Sequence, residues 1–119
     1  MPEPNPTSLS DNAAGAIAYI TPVPAIVFLV LEPYNKSSYV RFHAWQSIFL
    51  AIVWIVVFTV LSMISFATLF LMPFIMGPIH LLIHLAFFAV WIICVVQAVN
   101  GKRFQLPVIG ALAEKLAGA

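Results

Sequence analysis

The stretch Ile48–Phe66, IFLAIVWIVVFTVLSMISF, is an almost unbroken run of hydrocarbon side chains. Its length is close to the roughly 20 residues a helix needs to cross a bilayer. Around it, from Phe42 to Gly101, there is no Lys or Arg. Charged residues make up 8% of the 119-residue chain and hydrophobic ones 63%, against about 25% charged in an ordinary soluble protein. So little charge cannot cover the exterior of a water-soluble fold. The chain therefore predicts an all-α, polytopic membrane bundle of a single domain. A formal net charge of +1 excludes the basic stripe that nucleic-acid binding requires. The lone Cys94 lies in an apolar run and reads as a small buried hydrophobe, without an intrachain disulfide.

Two further apolar runs flank the first. Ala13–Leu31 follows a helix N-cap signal at Ser10-Asp11-Asn12, where short polar side chains accept free backbone N–H groups. Its first half is small (Ala13, Ala14, Gly15, Ala16, Ala18), which permits close helix approach. Thr21-Pro22-Val23-Pro24 interrupts it, and the lost donors predict a kink at Pro22 and Pro24. The freed carbonyls of Ala18 and Ile20 then need partners, the Thr21 hydroxyl or a neighbouring helix. The interruption reads either as a packed kink or as a broken helix lining a site. Pro73, Gly77 and Pro78 mark the next turn. A third run, Ile79–Val99, stops at Asn100-Gly101, a left-handed helix terminus.

The expected organisation is thus a Pro-rich disordered tail over 1–10, a transmembrane bundle over 11–101, and a cytoplasmic tail over 102–119. The three transmembrane helices are expected at 13–31, 47–69 and 79–99. In the tail, Val108, Ile109, Leu112 and Leu116 share one face of a short amphipathic helix, which predicts an interfacial or docking element. Lys36 and Arg41 follow the first run; Lys102, Arg103 and Lys115 follow the last. Because basic residues stay on the cytoplasmic side, three spans predict an N-terminus outside and a C-terminus inside.

Two groups of polar residues could carry chemistry. By topology Glu32, Lys36, Arg41, His43, Gln46, Gln97, Asn100, Lys102 and Arg103 gather at the cytoplasmic ends of the helices. They either snorkel into headgroups or form a hydrogen-bonded cluster, with Glu32 paired to Arg41 or Lys36. His80 and His84, four residues apart, share a helix face and could ligate a metal or haem if a further ligand joined them. No nucleophile, base and oxyanion device occur together, and no phosphate-binding glycine loop is present. The chain is not expected to be an enzyme, and no cofactor is called for.

The segments LEPYNK (Leu31–Lys36), VRFHAWQS (Val40–Ser47), GKRFQLPVIG (Gly101–Gly110), Ala113-Glu114-Lys115 and DNAAGAIAY (Asp11–Tyr19) resemble the Tic-twenty-like proteins. These are small bacterial membrane proteins grouped with the chloroplast inner-envelope import component of twenty kilodaltons. The likeness runs from Asp11 to Lys115, with Ile48–Val99 matching only as generic apolar helix. It implies a polytopic helical protein of bacterial inner membranes, resembling a protein-import component. That family is described with four spans where three are read here. Three short helices cannot enclose a polypeptide channel, so conduction would need oligomers or partner subunits.

Residues and resemblance together lead to a non-enzymatic multi-pass protein that works in the lipid bilayer by assembling with other membrane proteins or with itself. The alternatives are a small-solute or ion pathway lined by Thr21, Thr59 and Ser62, and a His-ligated metal or haem subunit.

Overall fold

The computed structural model describes residues 9–68 and 73–118, so the expected tail over 1–8 lies outside it. The described chain is helical throughout: α1 (Asp11–Ile17), α2 (Pro22–Val30), a 3-10 turn (Tyr34–Lys36), α3 (Ser38–Ala67), α4 (Pro73–Val99) and α5 (Ile109–Ala117).

α1 starts where Ser10 Oγ accepts from Ala13 N at 3.1 Å, with Asp11 in the first turn, where the helix dipole favours an acid. It ends before Thr21, which is extended (φ −147°), as the residue ahead of a proline prefers. Pro22 then opens α2 at a position whose N–H would have no helical partner anyway.

The interruption is a reversal rather than a kink. At the turn, Ser47 Oγ donates to Ala18 O at 2.6 Å. At the open end, Ser37 Oγ donates to Asp11 Oδ2 at 2.8 Å and Leu9 N donates to the Tyr34 hydroxyl at 2.9 Å. The start of α1 and the end of α2 thus meet the same end of α3, and the turn reaches only about 15 Å along it at 1.5 Å per residue. Over 13–31 the chain thus forms a helical hairpin in place of one continuous helix. Among the described residues two helices, Ser38–Ala67 and Phe74–Val99, are long and apolar enough to cross a membrane.

α3 changes character along its length. Ser37 caps it, accepting from Val40 N at 3.3 Å. Val40, Phe42, His43, Ala44, Gln46 and Ser47 are all buried. Ala14, Ala18, Ala25 and Phe28 of the hairpin close around Val40 and Ala44. The small residues foreseen for close approach do this work: a Cβ on Gly15 would stand 3.0 Å from the Tyr39 ring and 3.1 Å from His43. From Ile52 onward α3 is largely exposed, with Met63 67% and Phe66 79% exposed. In water such a surface would be buried; here it is the lipid-facing part.

α4 begins at Pro73 and carries Pro78 inside it, so Gly77 and Pro78 are helical and not part of a turn. Its end is as predicted. Gly101 has φ +76°, Lys102 N donates to Gln97 O at 2.9 Å and Gly101 N to Ala98 O at 3.1 Å, a Schellman termination. Residues 102–108 run back along α3. α5 then packs through Gly110, Ala113 and Ala117, with Ala113 and Ala117 against Phe42. The face expected to dock is divided: Val108, Leu112 and Leu116 are 83%, 46% and 41% exposed, while Ile109 packs against the cluster of Tyr19, Cys94, Ala98 and Leu106.

Candidate functional site

Tyr39, His43, Gln46 and Ser47 recur at helical spacing on α3, so they share one face. That face meets α1, the end of α4 and the 102–106 strand of backbone. His43 Nε2 lies 3.1 Å from Lys102 O. A carbonyl only accepts, so Nε2 carries the proton and Nδ1 is an acceptor. The Tyr19 hydroxyl therefore donates to His43 Nδ1, at 2.7 Å. Its oxygen in turn accepts from Gln46 Nε2 at 2.8 Å. The second amide proton of Gln46 goes to Phe104 O at 2.8 Å, and Gln46 Oε1 accepts from Leu106 N at 3.0 Å. Every polar atom of His43 and Gln46 is used, and the backbone partners fix the orientation of the amide.

Around this knot, Tyr39 donates its hydroxyl proton to Ala98 O and the Trp91 indole donates to Tyr19 O. Asn12 Nδ2 donates to Val99 O at 3.2 Å. Cys94 is buried beside Tyr19, as a small hydrophobe should be. Arg103 donates to Ser38 Oγ, with its guanidinium 6.0 Å from the Phe42 ring centroid. Arg41 donates to Leu116 O at 3.1 Å.

Of the predicted polar cluster, then, His43, Gln46, Arg103 and the backbone of Lys102 come together. Arg41 joins at the edge through α5. Glu32 pairs with Lys36 at 3.4 Å on the exposed surface, one of its two foreseen partners. Asn100 is exposed, and Gln97 contributes its carbonyl to the helix terminus. Sequence reasoning missed Tyr19, Tyr39, Ser47 and Trp91. The signal available was the shared face of Tyr39, His43, Gln46 and Ser47.

Beyond the hairpin turn, a cavity of about 350 Å³ lies between α3 and α4, with Thr21, Ala51, Trp54, His84, Phe88 and Trp91 on its walls. Of the suggested pathway residues, Thr21 lines it; Thr59 bonds back to Ile55 O at 2.8 Å. Trp54 Nε1 donates to His84 Nδ1 at 3.2 Å. Ser65 Oγ and His80 Nε2 are 2.6 Å apart. The rings of His80 and His84 stack at 6.1 Å, and among the described residues no group of three or more His, Cys, Asp or Glu assembles around a metal position.

The sequence model of the Magnetosome magnetite crystal formation protein family, MamF/MmsF, matches residues 9–113, which takes in the hairpin, both long helices and the knot. The chain belongs to this family. Similar curated proteins are archaeal. A UPF0132 membrane protein of Archaeoglobus fulgidus is 32% identical over 92% of this chain and 98% of its own length. One of Methanocaldococcus jannaschii is 36% identical over 90% of this chain and 88% of its own. A second from the latter organism is 31% identical over 90% and 70%. No solved structure matches. These matches overturn the resemblance to the Tic-twenty-like proteins and remove the import role inferred from it. What stands is a membrane protein of the MamF/MmsF family.

Proposed function

We propose that this MamF/MmsF-family protein is a non-enzymatic membrane assembly protein, whose two long helices associate laterally with other membrane helices, second copies of itself included. One observation carries the reading: the hydrogen-bonded polar knot holds the base together, while much of α3 and α4 beyond it stands exposed. Leu82 is 67% and Met63 67% exposed, and Gly77 has open space around it. In hydrocarbon, association comes from packing and interhelical hydrogen bonds rather than from a hydrophobic drive, and two splayed helices leave most of their packing surface to a partner.

The family's description concerns magnetite crystal formation in magnetosomes. For this chain we take from it a role in organising a membrane, not mineral chemistry, because its described acids are engaged: Asp11 by Ser37, Glu32 by Lys36 and Glu114 by Gln105. With the hairpin re-entrant, Leu9 and the basic clusters share one end. The retention of Lys and Arg inside then supports a cytoplasmic position for both Leu9 and Gly118.

Crosslinking in native membranes tests the assembly reading. A Leu82→Cys variant is expected to give a disulfide-linked species with a second copy or another membrane protein, while buried Cys94 gives none. A strictly monomeric Leu82→Cys chain, in membranes and in mild detergent, would remove the basis for the proposal.

A further inference from the structure

The cavity between α3 and α4 contains an incomplete hydrogen-bonding arrangement. An indole N–H only donates, so the bond from Trp54 makes His84 Nδ1 an acceptor and leaves the ring proton on Nε2. Among the described residues no group accepts that proton, whereas His80, one turn away, is bonded to Ser65. His84 lies about 22 Å along α4 from Val99 at 1.5 Å per residue, within a stretch that holds no charged residue. In hydrocarbon an unpaired polar group is costly. On the floor of the same cavity, the Thr21 side chain makes no capping hydrogen bond to α2. The walls between the two are aromatic: Trp54, Phe88 and Trp91. Trp91 is held in place because its own N–H is spent on Tyr19 O.

We propose that this cavity binds a lipid-soluble quinone ring, one carbonyl accepting from His84 Nε2 and the opposite one meeting the Thr21 hydroxyl. A flat ring with an acceptor at each end fits two separated donors between aromatic faces. About 350 Å³ is within the range of small-molecule sites, and the cavity is partly open, so an isoprenoid tail can leave it. A phospholipid ester carries a similar carbonyl, but no flat ring to lie between the aromatic walls. The inference does not depend on the assembly reading.

Trp54 and Trp91 supply the readout, since quinones quench indole emission on contact. The delipidated full chain in detergent is titrated with ubiquinone-2 and, separately, with a brominated phosphatidylcholine. Ubiquinone-2 is expected to quench saturably at one molecule per chain. His84→Leu is expected to weaken it about tenfold, the size of one lost hydrogen bond. Ala51→Phe, which fills the cavity, removes the saturable phase. Thr21→Val, on the opposite wall, carries the same expectation as His84→Leu should that variant aggregate. Brominated lipid is expected to quench in proportion to concentration in every variant. Linear quenching by ubiquinone-2, or saturable quenching indifferent to these substitutions, overturns the proposal. Saturable quenching by the brominated lipid that His84→Leu relieves overturns the quinone assignment in favour of an ester carbonyl.

Discussion

Gln46 does three jobs with one amide, and its isosteric acid separates them. In Gln46→Glu the oxygen facing Leu106 N remains, but no donor faces Phe104 O or the Tyr19 hydroxyl. Each stranded buried group costs roughly 1–3 kcal/mol. We expect a clearly lower melting temperature by fluorescence, with new proteolytic cleavage between Lys102 and Pro107 as that segment comes away. Gly110 is a second sensitive position: a Cβ there would lie 2.7 Å from Gln105 Cα, and backbone cannot yield as a side-chain tip can. Gly110→Ala should therefore loosen α5, read as faster amide exchange over 109–117 with α4 unchanged. The sequence displayed His43 and Gln46 as polar groups on an otherwise greasy helix. Apart from the Tyr19 hydroxyl, it could not display their partners, because those are backbone carbonyls and an N–H of a segment almost sixty residues away, common to any sequence.

The α1–α2 hairpin shows what proline leaves undecided. Pro22 and Pro24 announced an interruption and implied that Ala18 O would need a new donor, and a neighbouring helix supplies it through Ser47. The angle of the interruption was not legible, since a proline is equally at home at a kink and at the first position of a new helix. Small residues on α1 and Phe28 on α2 decide it, by packing better against the base of α3 than an extended rod would. Single cysteines make the distinction measurable. Cysteines replacing Asp11 and Leu31 should both react with a membrane-impermeant reagent from the same side, and one replacing Ile20 should be protected. Reaction of positions 11 and 31 from opposite sides would restore a crossing helix. α5 was foreseen as an element but not its buried face, because Gly110, Ala113 and Ala117 offer little hydrophobicity and much closeness.

At the scale of the molecule, a compact base supports two long rods. The knot, the hairpin and α5 surround the first turns of α3, while the remainder of α3 and α4 meets mostly lipid. Composition alone indicated the membrane, and the two longest apolar runs indicated the rods. Family membership came from the whole of residues 9–113, where a likeness drawn from a few short motifs had led elsewhere. The base explains why those motifs are so prominent: they are the pieces that must fit one another.

The fold-back also bears on how the chain enters a membrane. Leu9 and Gly118 both lie beside the base, through Tyr34 and Arg41 respectively. What must travel through the oil is the α3–α4 arm, and between Phe42 and Gly101 it holds no Asp, Glu, Lys or Arg. Each such charge at mid-membrane would add about 2.5–3.5 kcal/mol to insertion. Biogenesis can therefore proceed as a one-sided plunge of an uncharged prong, driven by partitioning, with the base closing behind it like a stopper.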